Sequence, residues 1–141
     1  MDGAGSVQRS FRLSASTSAL LDHLAETSNE SRSSLVERML AESLRTEHHP
    51  LVRFRTGAAG HREPALVGTR VLLRQVVASV RAAEGSVEAA ADYLDLPVRT
   101  VRGAVAYYAE FAAEVDADIA WAARVEAQEE ARAAGERAAF G

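Results

Sequence analysis

The chain has no cysteine among its 141 residues, so disulfides and thiolate metal sites are excluded. It has no lysine either: all 16 basic residues are arginine. A GC-rich coding bias explains that as readily as phosphate and guanine recognition by the planar guanidinium does. The two explanations are compatible, and the absence alone decides little. Aromatic residues make up only 6% of the chain, which leaves few large side chains besides Tyr107 and Tyr108 for a core or interface. No apolar run approaches the roughly 18 residues of a membrane span. The start, Met1-Asp2-Gly3-Ala4-Gly5-Ser6, lacks the charged-then-apolar pattern of a signal peptide. A cytoplasmic protein with no membrane partner is expected.

A catalytic constellation is missing as well. Four histidines stand at positions 23, 48, 49 and 61, none with a carboxylate or second histidine at a metal-binding spacing. His48 and His49 are adjacent, so they are expected to diverge on a helix or a strand. The glycines between 57 and 60 lack the strand-to-helix pattern and the lysine of a phosphate loop. No enzyme, catalytic residue, metal site or cofactor is expected.

What is present is a 48% hydrophobic fraction, rich in alanine, and an uneven charge distribution. The formal net charge of −4 argues against a simple basic nucleic-acid binder. Yet residues 1–105 carry 13 Arg against 12 acids, and residues 106–141 carry 3 Arg against 8 acids. Residues 49–81 hold 6 Arg and a single acid. A locally basic body with an acidic end fits a protein with two kinds of partner.

Three segments follow. In residues 7–47, Val7 to Leu13 reads as one short strand, with Val7, Phe11 and Leu13 on one side together with Arg9, and Gln8, Ser10 and Arg12 on the other. Ser14 can cap a helix whose inward stripe is Thr17, Leu21, Leu24 and Ala25. Asn29 tolerates the left-handed turn of a helix C-cap. Ser31 can cap a second helix with Leu35, Val36, Met39, Leu40 and Leu44 as its apolar face. A lone strand has no backbone partner, so the economical arrangement is a symmetric dimer that pairs the strand with its own copy. The resulting ribbon is the right width for the DNA major groove.

In residues 48–113, the chain turns at His48-His49-Pro50, and Leu51 to Arg55 alternates as a half-exposed strand. Thr56-Gly57-Ala58-Ala59-Gly60 is a turn. Pro64 to Arg70 is a return strand or turn, Leu72 to Ala83 a helix ending near Gly85, and Ser86 opens another. Ala91, Leu94, Asp95, Leu96 and Pro97 give a helix-turn-helix pattern running into Val98-Arg99-Thr100-Val101-Arg102, with Val101, Val105 and Tyr108 facing inward. In residues 114–141, Val115, Ile119, Ala122 and Val125 recur at helix spacing beside Trp121. Beyond Val125 little apolar area offsets the ordering entropy. Two readings stay open: a segment disordered alone that folds onto a partner groove, or a solvated helix with Trp121 tucked against the second segment.

Ser10-Phe11-Arg12-Leu13-Ser14 and Ser31-Arg32-Ser33-Ser34-Leu35-Val36 resemble the ribbon-helix-helix family of dimeric repressors, which includes Arc, MetJ and CopG-like proteins. Asn29 departs from the usual Gly, and Arg9 from an apolar core residue. The resemblance implies that Gln8, Ser10 and Arg12 read bases, through the pairings Gln with adenine and Arg with guanine. It also implies that Ser31, Arg32 and Ser33 hold a phosphate at a helix start; the departure at Arg9 leads to the separate expectation that this residue reaches a phosphate past the ribbon edge.

His49-Pro50, Arg53-Phe54, Pro64, Gly68-Thr69-Arg70-Val71, Gly85-Ser86, Ala104, Tyr107-Tyr108 and Glu114-Val115-Asp116 resemble an antitoxin-associated domain of unknown function, number 433. Arg99, Thr100 and Arg102 are then candidates for a second DNA contact. By resemblance to VapB-type antitoxins, the end of the chain wraps a PIN-like nuclease toxin through Ile119, Trp121, Arg124, Val125, Arg132 and Arg137. One of the three arginines would compete there with metal for catalytic carboxylates.

The expected fold class is mainly α with short β: a ribbon-helix-helix dimerisation module, a small β-hairpin with a three-helix helix-turn-helix domain, and a helical C-terminal tail. The expected function is that of an antitoxin of a type II toxin-antitoxin system. It would form a homodimer or higher even oligomer, bind double-stranded operator DNA in its own promoter and neutralise a PIN-like ribonuclease. A stand-alone dimeric repressor, and an oligomerisation protein with no DNA role, are the alternatives.

Overall fold

A computed structural model describes residues 5–141. The first four residues, part of the start read above for a signal pattern, lie outside the described residues. The chain is mainly helical, with five α-helices and one two-stranded antiparallel sheet among the described residues. No described helix is long and apolar enough to cross a membrane. The chain divides into two compact units, Met1–Pro50 and Leu51–Gly141.

In the first unit, residues 5–14 adopt no regular element and are exposed throughout. The expected strand at 7–13 therefore has no ladder within one chain, as a strand without a neighbour cannot. Helix α1 (Ala15–Glu26) begins where expected: the Ser14 side chain accepts from the Thr17 N–H at 3.2 Å. Its end corrects the sequence reading. The cap is Thr27, right-handed at φ −95°, and Asn29 does not take a positive φ. The Thr27 hydroxyl donates to the Leu24 carbonyl at 3.2 Å, which satisfies a last-turn acceptor without a left-handed residue.

Helix α2 (Arg32–His48) is capped by Ser31, which accepts from the Ser34 N–H at 3.1 Å. The two helices are tied by Arg32 to Asp22 at 3.0 Å, and the connecting loop by a fork from Arg38 to Glu30 with a closest approach of 2.8 Å. The Glu30 hydrogen bond is the main cause of a raised Arg38 pKa. His49 caps α2 with non-helical backbone, so its ring does not diverge from that of His48. The rings meet edge-on with centroids 4.7 Å apart, because helical geometry ends between them.

In the second unit, β1 (Val52–Thr56) and β2 (Arg62–Leu66) pair in the register Val52 with Leu66 and Arg55 with Glu63. A short 3-10 turn, Ala58–Gly60, joins them, with Ala59 and Gly60 at positive φ. The turn is closed by the Gly57 N–H donating to the His61 carbonyl at 2.7 Å. Helix α3 (Leu73–Ala82) is capped by Ala83, and the turn after it closes at Gly85 (φ +87°), whose N–H donates to the Val80 carbonyl at 2.8 Å. Helix α4 (Val87–Leu94) starts at Ser86, which accepts from the Ala89 N–H at 3.1 Å. Asp95 closes it in the left-handed region (φ 54°, ψ 50°), the place where Gly is usual.

Helix α5 (Val98–Phe140) follows Pro97 and has one non-helical residue, Phe111 (φ −122°, ψ 37°). The expected boundary between residues 113 and 114 falls inside this helix, and Val115 belongs to the buried core. That core gathers Val52, Leu66, Leu73, Val76, Val101 and Tyr107 around the small Ala90, Ala91 and Ala104. Tyr107 is the fully buried tyrosine, while Tyr108, expected to face inward, sits half-buried at the rim.

Candidate functional site

Two alternating serine-capped helices on a minimal core produce the chief surface feature of the first unit. Leu35 is its only buried hydrophobic residue among the described residues. Leu21, Leu24 and Ala25 are half-buried, but Thr17 is exposed, as are Val36, Met39, Leu40 and Leu44 on the expected apolar face of α2. Leu20 is 59% exposed and Leu13, just before the Ser14 cap, 54%. Leu13, Leu20, Leu24, Val36, Met39 and Leu40 line one apolar groove of about 360 Å³. Two helices packed on each other within this unit cannot cover both of their apolar faces. The inward face is thus only partly covered.

Upstream of that groove, Gln8, Arg9, Ser10 and Arg12 are all exposed. Ser33 is exposed too, while the Ser31 hydroxyl is engaged as the α2 cap and Arg32 is engaged with Asp22. The chain places these residues on one short stretch of α2 and the segment leading into α1. Residues 5–14 make no regular element in the single chain.

In the second unit, Arg99 is exposed, Thr100 is half-buried and Arg102 pairs with Glu88 at 3.2 Å, which links the start of α5 to α4. Among the residues expected to contact a toxin, Ile119 packs on the core, and Trp121 stacks on His61 with ring centroids 3.9 Å apart and planes 10° from parallel. Of the two readings of this segment, the structure has the one with Trp121 tucked against the second unit. Val125 is half-buried, Arg124 and Arg137 are exposed, and Arg132 bridges Glu129 and Glu136 at 2.7 and 2.6 Å.

The sequence reading missed two polar clusters that only folding assembles. The first joins the hairpin, α3 and α5. Glu63, 2% exposed, accepts from Arg74 Nε at 2.9 Å, and His61 Nε2 lies 2.9 Å from Asp118 Oδ1. A carboxylate buried that deeply needs its partner, because unpaired charge in a low-dielectric interior is costly. Burial is the largest influence on Asp118 and raises its pKa, outweighing the lowering effect of His61. The second cluster brackets the interruption at Phe111. The Tyr108 hydroxyl donates to Asp116 Oδ1 at 2.8 Å, and Arg81 donates to the same carboxylate at 3.0 Å. These two hydrogen bonds, that of Tyr108 first, lower the Asp116 pKa; accepting from Tyr108 in turn raises the tyrosine pKa. His61 and Asp118 are 57 positions apart, so no local motif could have signalled their meeting.

Comparison with protein-family models, with curated proteins and with solved structures found no match to this chain.

Proposed function

We propose that this chain is a dimeric antitoxin that represses its own operon and neutralises a PIN-like ribonuclease. The single observation that supports dimerisation most is the uncovered apolar groove of the first unit. Pairing with a second copy would place Leu13, Leu20, Val36, Met39 and Leu40 in a shared core, each fully buried side chain contributing about 1.5–3 kcal/mol. The same association would give the segment from Val7 to Leu13 an antiparallel neighbour. The ribbon would then present Gln8, Ser10 and Arg12 from both chains on one face, in the arrangement suited to the major groove. Arg9, Arg32 and the N-terminus of α2 would hold flanking phosphates, with Arg32 exchanging Asp22 for phosphate.

The far end of α5 supports the second half of the reading. Residues 126–140 are helical and exposed apart from the half-buried Ala133, so an already formed helix would be available to a partner groove. Arg132 and Arg137 on that stretch, with Arg124 just before it, would engage the acidic site of the nuclease. The groove and the exposed helix favour an assembling protein over an enzyme.

Sedimentation at micromolar concentration, gel shift with the DNA upstream of the gene, and co-purification with the product of the neighbouring gene test the three parts separately. A monomer at all concentrations sinks the ribbon. A dimer that binds no upstream DNA leaves the oligomerisation reading in its place. A DNA-binding dimer that captures no neighbour leaves the stand-alone repressor.

A further inference from the structure

The hairpin of the second unit carries positive charge that the fold does not neutralise. Of the arginines between 49 and 81, Arg74 is matched by the buried Glu63 and Arg81 by Asp116. Arg62 donates to Thr56 Oγ1 at 2.9 Å. That leaves Arg53, Arg55 and Arg70, all exposed and without an ion pair among the described residues.

Their placement follows from the strand register. Arg53 and Arg55 are alternate residues of β1 and so share one face, about 7 Å apart along the strand. Opposite Arg55 stands Glu63, whose carboxylate is already paired to Arg74, so one acid faces two guanidiniums. Arg70 lies in the loop that Leu66 closes by donating to the Val71 carbonyl at 2.9 Å. Its neighbour Val67 donates to the Leu51 carbonyl at 2.9 Å, so the loop sits at the Leu51 end of β1. The start of α5 adjoins the same end: a Cβ added to Gly103 would lie 2.6 Å from Leu51 Cδ1. Arg99, one turn earlier on the same side of α5, is exposed as well.

We propose that Arg53, Arg55 and Arg70, bordered by Arg99, form a sequence-independent contact surface for the phosphodiester backbone of a nucleic acid. The chain keeps this local basic surface against a net charge of −4, and it is built only from arginine, whose fork suits phosphate oxygens. A surface of this kind contacts backbone and carries no base readout. It is distinct from the amino-terminal segment assigned to operator reading and does not depend on that assignment.

The test is fluorescence anisotropy of the full chain on a 30-bp duplex of arbitrary sequence and on a single-stranded RNA of equal length, across a sodium chloride series. The triple variant Arg53→Gln, Arg55→Gln, Arg70→Gln alters only exposed side chains, and its melting curve checks that it folds. Each lost phosphate contact on duplex DNA should reduce the slope of log K against log salt by roughly 0.9. The drop should recur when the substitutions are placed in a Gln8→Ala, Ser10→Ala, Arg12→Ala background. Loss on duplex alone, or on RNA alone, identifies which backbone is used. A folded triple variant with an unchanged slope on both probes overturns the proposal and leaves operator reading by the amino-terminal segment untouched. Binding of polyglutamate in preference to either nucleic acid overturns it in favour of an acidic protein surface. Failure to bind any of the three overturns it outright.

Discussion

Arg12 and Arg32 separate two roles that look alike in a composition count. Arg12 is exposed with no side-chain partner among the described residues, whereas Arg32 is held by Asp22 at 3.0 Å. If Arg12 reads a base, Arg12→Ala should lower discrimination at one position of the operator by about 1–3 kcal/mol. Arg32→Ala should weaken operator and arbitrary duplex by similar factors, as a phosphate contact does. A competition gel shift with single-base operator variants checks both, and equal loss of specificity from the two substitutions would contradict the assignment.

Asp118 gives a prediction of a different kind. Its raised pKa means that the folded state keeps a proton where the unfolded chain has released it. The unfolded state then binds fewer protons, and stability falls as pH rises from the ordinary carboxylate value through the folded one. The cost is present above the raised folded value and vanishes in acid. Asn at 118 can still accept from His61 Nε2–H without carrying the buried charge. Asp118→Asn should therefore melt at the same temperature as the parent or higher at neutral pH, with the gap closing as the solution is acidified. A lower melting temperature at neutral pH would mean that attraction to His61 outweighs burial.

At the scale of the element, α5 is the component whose behaviour departs most from expectation. At 43 residues it is about 64 Å long, and its second half stays helical with almost no burial. The physical reason lies in composition and continuity. Ala, Glu, Gln and Arg are strong helix formers, and the packed first half removes the nucleation cost that makes isolated helices marginal. Arg132, set between Glu129 and Glu136 at helix spacing, adds ion pairs on the exposed surface. Deleting residues 127–141 should leave the melting temperature within roughly 2 °C, because exposed positions contribute little to stability. Circular dichroism should lose helical signal in proportion to the residues removed. If the proposed antitoxin reading holds, the same truncation should abolish co-purification with the neighbouring gene product and leave self-association through the amino-terminal unit in place.

For the whole molecule, the decisive quantity is the concentration dependence of stability. If a second copy covers the groove of the first unit, folding of that unit is linked to association, and its melting temperature should rise with protein concentration. Met39→Glu with Leu40→Glu places two carboxylates in the groove. This variant should sediment as a monomer and lose operator binding, with the transition of the second unit unchanged. Calorimetry distinguishes the two transitions because each unit has its own compact body. A variant that stays dimeric would show that the copies meet elsewhere.

Periodicity and cap chemistry by themselves determined much of this protein. Ser14, Ser31 and Ser86 each mark a helix start in the sequence and each accepts the expected backbone N–H. Asp95 and Pro97 mark the turn before α5, and the alternation of Val52 to Arg55 marks β1. These signals are local, and hydrogen bonding within a few residues decides them. Tertiary structure alone decided which of two adjacent tyrosines fills the core, where Trp121 rests, and that Glu63 is buried and Asp118 half-buried, with Arg74 and His61 beside them. It also decided that the apolar faces of α1 and α2 remain largely uncovered within one chain. Each of those outcomes depends on residues tens of positions apart or on the total area available for packing, and no local pattern encodes either.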